Sequence, residues 1–260
     1  MAETTKEYEM LLNIIKTRMS VRKFRPDPIP DDYVQKILEV SRWAMSGANS
    51  QPWEFIVVKD PDIKRQLRDA YSEYNTDYIF WMEQQREYKL RHPSYQVKGD
   101  PRESLEFNKK KTNWHLAPAV IVVLGDGRRQ WGTVMGAHTF GRGQSHLTDG
   151  LANASFLIHL AVAALGLTSE WVSIHVQEPF KRILGVPDLL MLYLIIPIGY
   201  PDVGPRAGTR RPLHDIVHHD RYDMSKYMTN EDIIRYLYGL REATVGTHAA
   251  SRGVKVEKDS

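Results

Sequence analysis

Cysteine is absent from all 260 positions of the chain. That absence removes disulfides, thiolate nucleophiles, cysteine-ligated zinc and iron–sulfur clusters together. An excess of one charge is missing too. The 35 basic side chains stand against 32 acidic ones, and a net charge of +3 is too balanced to argue for nucleic acid as a partner. No apolar run reaches the roughly 18 to 20 residues that cross a bilayer. The longest, Leu189 to Ile198, is strand-sized and ends among Pro197 and Gly199. Glu3, Glu7 and Glu9 deny the N-terminus the basic start and apolar middle of a secretory signal. No membrane partner is therefore expected, and the cytoplasm is the default location.

Several catalytic signatures are also lacking. The ten histidines include no HExxH or comparable ligand spacing, and His218 and His219 beside Asp220 read better as exposed loop residues than as a metal site. No G-x-S-x-G elbow is present. Gly125 and Gly127 follow a strand pattern, but the G-x-G is not completed and no clear helix opens there, so a Rossmann dinucleotide site is not indicated.

What is present is the composition of a globular protein, with 42% hydrophobic and 26% charged residues. Tyr8, Leu11, Leu12 and Ile15 share one face of a helix over residues 6–17. After Pro26, Pro28 and Pro30, an aspartate at 31 or 32 can cap a second helix that should stop near Gly47. The β-branched runs Phe55 to Val58 and Val120 to Leu124 read as buried, central strands. Residues 75–115 are crowded with Tyr, Gln, Lys, Arg and Glu and read as a partly helical, mobile insertion. Over residues 147–165 a helix carries two stripes, one of Leu147, Leu151, Ala154 and Ile158, the other of Ala152, Ser155, His159 and Val162. Such a helix must be sandwiched between sheets or between subunits. Strands over 171–174 and 190–198, a short helix at 178–184 and a last helix at 229–241 complete one α+β domain over residues 1–243, and residues 244–260 read as a disordered tail.

Two segments carry chemistry. Arg18, Ser20 and Arg22 place two guanidinium forks and a hydroxyl within five residues, a set that suits a phosphate. The same residues also serve as favourable charges at a helix C-terminus. Ser46, Gly47, Ala48, Asn49, Ser50 and Gln51 form a small-residue loop that can lie against a flat heterocycle, or simply turn the chain.

Together these segments resemble the nitroreductase family of flavin mononucleotide (FMN) enzymes. Its R-x-S-x-R-x-F is present as Arg18, Ser20, Arg22 and Phe24, and its second signature as Ser46, Asn49, Gln51, Pro52 and Trp53. Arg210, Arg211, Pro212 and Leu213 resemble its C-terminal basic segment. Within the family, SGANSQPW, Thr112 to Trp114, the strand ending Pro197 to Pro201 and RRPL look most like the iodotyrosine deiodinase branch.

The resemblance implies a nitroreductase-like fold, a central mixed sheet flanked by helices in an intertwined homodimer. FMN would sit between the subunits. Arg18, Ser20, Arg22 and one of Arg210 and Arg211 would hold its phosphate and ribityl chain, and Ser46 to Gln51 would line the flavin, partly from the opposite subunit. Ser173 is the candidate hydroxyl near flavin N5, or else a strand serine bonded to backbone. NAD(P)H would deliver hydride and then yield its place to a small aromatic acceptor in ping-pong turnover, which accounts for the missing Rossmann site. Tyr88 and Lys109 are the candidates for a substrate lid, although Gln84 stands where the deiodinase spacing wants an acid. Reductive dehalogenation of a halogenated phenol and a non-catalytic flavin-binding redox sensor are the alternatives.

Overall fold

The computed structural model describes residues 4–97, 99–111, 113–129, 142–204, 208 and 210–251. Five strands form one sheet: β1 (Trp53–Val58), β2 (Ala119–Gly125), β3 (Thr168–Ser169), β4 (Val172–Ser173) and β5 (Met191–Gly199). Their order is β1-β2-β5-β3, with β4 also paired to β5. The expected mixed sheet is antiparallel in every one of these pairings, and the parallel contact among the described residues is an isolated bridge from Ser20 to Ser169. Of the two strands expected to be central, β2 is, while β1 lies at the edge.

Every residue of β2 is buried, because helices cover both faces of the sheet. Its alternation divides the core. Ile121 and Val123 face one layer with Leu194, Ile196 and Ile198, whereas Val120, Val122 and Leu124 face the other with Leu192 and Ile195. A register shift between Val123 and Leu124 leaves Tyr193 as the extra residue on β5, which is why Leu192 and Leu194 point to opposite sides.

The first layer is built on α2 (Asp31–Ser41) and α6 (Arg142–Ala164), the second on α3 (Pro61–Ala70) and α7 (Glu178–Leu184). Leu151, Ala154 and Ile158 of α6 are fully buried against β2 and β5. The helix comes so close that a Cβ at Gly125 would meet Leu151 Cδ1 at 2.6 Å. Residues 145–164 of this helix are long and apolar enough to cross a bilayer by length and composition, yet their apolar stripe is the core of the fold. The α7 helix runs over the predicted span because Pro179 opens it and Gly185 closes it in the left-handed conformation, φ 67°.

The remaining helices are α1 (Lys6–Thr17), α4 (Asp77–Gln84), α5 (Pro101–Lys110), α8 (Leu213–Ile216) and α9 (Asn230–Ser251). The α2 helix stops at Ser41, short of the expected limit near Gly47, and leaves Trp43 and Met45 72% and 78% exposed. The α1 helix has no buried residue, so its apolar stripe is uncovered within the protomer. The last helix runs on to Ser251, so the tail expected to lack structure from residue 244 is helical through that point. Most of the 75–115 segment is ordered as α4, α5 and short 3₁₀ turns, preceded by a π-helical stretch at Tyr71–Thr76.

Candidate functional site

The α1 helix ends where Arg18 turns extended, and the chain then runs beside the sheet. Ser20 bridges to Ser169, Val21 N–H donates to the Ser169 carbonyl at 3.1 Å, and Phe24 bridges to Pro201. This fixes the alternating residues of the motif. Arg22 Nε meets Glu170 Oε1 at 3.0 Å. Arg18 is half-buried, and burial followed by the charge of Arg210 lowers its pKa from the usual arginine value. No carboxylate pairs with Arg18 among the described residues. Arg211 is turned elsewhere: its Nη2 donates to the Asp215 carbonyl at 3.3 Å and its guanidinium lies 6.0 Å from the Tyr236 ring centre. Of the two candidate arginines, it is therefore Arg210 whose charge reaches Arg18.

Behind Arg18 lies His159, 3% exposed on α6. Its Nδ1 shares a 2.6 Å hydrogen bond with Ser169 Oγ, and its Nε2 is buried with no partner among the described residues. Burial, and then the charge of Arg18, pushes its pKa down to about 4. A cavity of about 200 Å³ is lined by Arg18, His159, Thr168 and Ser169 together with apolar groups.

A second cavity, about 270 Å³, opens on the other side of the β3–β4 turn and is lined by Arg22, Glu170, Trp171, Ser173, Lys111 and Trp114, among others. Ser173 thus lies on its wall. The indole of Trp171 stacks on His159 at 5.7 Å and 20°, and its Nε1–H donates to Ser173 Oγ at 3.2 Å. Because indole only donates, the Ser173 hydroxyl proton is left to point at something else.

The two lid candidates do not reach this cavity. Tyr88 sits on a 3₁₀ turn with Arg91 over its ring, and Lys109 is held by Glu73, Asp77 and Glu106 at 3.5, 3.8 and 3.6 Å. Lys111, Asn108, Tyr95 and His92 line the cavity in their place. Helical phase accounts for the shift, since two residues beyond Lys109 a side chain points about 160° away around the axis. Thr112 of the deiodinase-like run lies outside the described residues.

The loop at Ser46 to Gln51 is a 3₁₀ turn with positive φ at Ala48 (51°), Asn49 (51°) and Gln51 (47°). Three non-glycine residues in that region store roughly 1 kcal/mol or more each, and such strain gathers at functional sites. Ser46 Oγ accepts from Gln51 N–H at 3.0 Å, and Ser50 Oγ is buried without a partner among the described residues. The loop rests on the first half of α6: a Cβ at Gly150 would meet Ser46 at 3.3 Å, and Asn153 donates to the Met45 carbonyl at 3.0 Å. Nearest Gly47 is His146. His146 and His159 are roughly 20 Å apart along the helix. Within one protomer the loop and the Arg18 cluster therefore lie toward opposite ends of α6.

A family model described as "Nitroreductase family" matches residues 15–200, a stretch that contains the Arg18 motif, the strained loop and Ser173. The chain belongs to the nitroreductase family. An iodotyrosine deiodinase of Nematostella vectensis is 25% identical over 213 residues, covering 78% of this chain and 72% of that protein. An NADH dehydrogenase of Thermus thermophilus is 28% identical over 210 residues, covering 77% of this chain and 91% of that protein. Among solved structures, an iodotyrosine deiodinase bound to FMN and 3-iodo-L-tyrosine superposes with a TM-score of 0.61 at 22% identity, covering 82% of this chain and all of that one. An FMN-dependent nitroreductase from Clostridium difficile gives 0.55 at 21% identity, with 81% and 99% covered. These superpositions show that the nitroreductase-like α+β fold is shared.

His159 and the polar wall from His92 to Lys111 escaped the sequence motifs. For His159 a signal existed, since a histidine on the stripe of a helix apolar on two faces has no solvent to satisfy it.

Proposed function

We propose that this nitroreductase-family chain is an FMN-dependent oxidoreductase that uses NAD(P)H to reduce a small aromatic acceptor, such as a nitroaromatic or quinone, by a ping-pong route. The observation that carries this reading is Arg18: a half-buried guanidinium at the end of α1, beside the charge of Arg210 and with no carboxylate partner among the described residues. The residues present fit a flavin nucleotide. Arg18, Ser20, Arg22 and Arg210 would hold its phosphate and ribityl chain, with Arg22 steadied by Glu170.

The flavin, when bound, supplies the hydride-accepting and hydride-donating centre. The chain supplies position and charge. Ser173, its acceptor side engaged by Trp171, offers its hydroxyl proton toward the cavity. Lys111 adds a positive charge to the cavity wall, where the charge of Arg22 is paired with Glu170. The aromatic groups Tyr71, Tyr95 and Trp114 supply flat apolar surface for an aromatic guest.

In this reading a second copy of the chain would complete the site. The strained loop and the Arg18 cluster lie toward opposite ends of α6, and a two-fold partner would bring the loop of one chain, lining the ring, to the cluster of the other, holding the phosphate. The uncovered face of α1 and the exposed Trp43 and Met45 supply apolar surface for such a partner.

Reductive dehalogenation of a halogenated phenol is the second reading, favoured by the fold shared with the iodotyrosine-bound deiodinase. The purified protein distinguishes them. A yellow protein that bleaches with NADH or NADPH and regains colour with nitroaromatic or quinone supports the first. Halide release after dithionite reduction, without nicotinamide oxidation, supports the second. A yellow protein inert to every donor and acceptor makes it a flavin-binding sensor, and one that stays colourless with FMN refutes all three.

A further inference from the structure

We propose that His175 gives the acceptor its proton: as a quinone in the cavity beside Ser173 takes a hydride, one of its oxygens takes an N–H proton of the His175 imidazolium. That reduced FMN is the hydride source rests on the reading above. The step balances. The hydride brings two electrons and a proton, an O–H bond forms as the imidazolium N–H bond breaks, the quinone leaves as hydroquinone, and solvent reprotonates the imidazole.

The backbone puts His175 on the wall that carries Ser173. Val172 and Ile174 are 3% and 8% exposed and pack into the second layer of the core, while Ser173 and His175 alternate with them, exposed, and both line the cavity of about 270 Å³. At strand spacing two residues lie about 6.5 Å apart, so one ring-sized guest can meet both side chains. A cavity of roughly 150 Å³ already holds benzene, which leaves room for such a guest here. The position is held from another part of the chain. Asn75, fully buried in the π-helical stretch Tyr71–Thr76, accepts at Oδ1 from the N–H groups of His175 at 2.5 Å and Val176 at 3.1 Å. Tyr78 of α4 packs against the imidazole, with ring centres 5.5 Å apart at 36°. Single π turns gather at functional sites, and this one delivers a buried acceptor to the backbone just beyond Ser173.

The other proton-bearing groups on the cavity walls are committed. Glu170 meets Arg22 at 3.0 Å. Lys111 holds its Nζ 3.9 Å from the centre of the Phe107 ring. His92 Nδ1 accepts from the Ser94 N–H at 3.2 Å, a bond that protonation of that nitrogen would break. Tyr71 and Tyr95 stand edge-on to Trp114 and Phe80, and a phenol gives up a proton far less readily than an imidazolium. These, with Tyr78, are the titratable and charged groups of the walls and of the ring's own packing. Among the described residues neither ring nitrogen of His175 has a hydrogen-bond partner. Imidazole is the side chain that changes charge between about pH 5 and pH 8, so it can give a proton in one turnover and regain it before the next.

The experiment follows both half-reactions of the FMN-loaded wild type and His175→Gln by stopped flow across the imidazole range, about pH 5 to pH 8. The expected result is equal bleaching by NADH or NADPH, a step that protonates no acceptor, and reoxidation by a quinone roughly a hundredfold slower in H175Q. Reoxidation by ferricyanide, which takes electrons without a proton, stays equal in the two proteins. The wild-type quinone rate falls as the pH rises through that range, and H175Q lacks the fall. Equal slowing with quinone and ferricyanide, no slowing with either, or a wild type that no quinone reoxidises would overturn the proposal. Should H175Q fail to fold, His175→Ala is judged by the same outcomes. A second readout needs no turnover: 4-nitrophenol is added to the unreduced protein. A proton shared with His175 makes the bound phenol show its yellow phenolate band at lower pH than the free phenol, in the wild type and not in H175Q. The same band position in both proteins refutes His175. If the wild type retains no FMN, the cofactor reading falls and the nitrophenol band alone decides.

Discussion

The arginines of one short segment have different environments, and the difference predicts what each does. Arg18 lacks an acidic partner among the described residues, while Arg22 is steadied by Glu170. Arg18→Ala should weaken FMN binding roughly ten- to a hundredfold with little change in fold stability, because the group is charge-assisted in the complex and unpaired without it. Equilibrium dialysis with circular dichroism checks both halves. Arg211→Ala should change FMN affinity far less than Arg210→Ala. His159 sets an acid limit on the flavin-free protein. Its folded pKa of about 4 lies below the ordinary 6.5, so the unfolded chain binds more protons between those values. Stability is complete above about pH 6.5 and falls as the pH drops toward 4, by an amount on the order of 3 kcal/mol. Urea titrations across that range should show this loss, and H159Q should show less of it. A flat profile in the wild type contradicts the buried neutral imidazole.

At the scale of elements, α6 is both the core and the ruler of the site. Leu151→Ala should cost roughly 3 to 5 kcal/mol, since the side chain is fully buried against the sheet and touches the end of β2. Chemical denaturation measures it directly. The strained loop gives a prediction of opposite sign. Ala48→Gly should stabilise the flavin-free protein by roughly 0.5 to 1 kcal/mol, because glycine adopts φ 51° without a Cβ penalty.

The elements also show what the chain declares locally. The α7 helix was readable to the residue because its proline and glycine stops are local, and the motif around Arg18 was readable because its spacing is chemical. The edge position of β1 was not readable, since an apolar run reports burial and not the number of strands beside it. The antiparallel sheet escaped for the same reason, as direction is set by connections across the whole fold. Lys109 misled because its charge is visible in sequence while the three carboxylates that occupy it come from two other helical segments and its own. His159 became a site residue only when α6 and the β3–β4 turn were laid together.

Across the whole molecule, the motifs belonging to one cofactor lie toward opposite ends of one helix, and apolar surface stands open on α1, at Trp43 and at Met45. Under the proposed function, a second copy of the chain would account for both facts. Mutating Trp43 and Met45 to charged residues should then lower flavin retention along with dimerisation, although both lie outside the Arg18 cluster. The most direct measurement is sedimentation of the purified protein with absorbance read in the flavin band. The account predicts a species of about twice the 30.0 kDa chain mass carrying one FMN per chain, with the flavin lost on dilution to monomer. A monomer that keeps its full complement of FMN would contradict it.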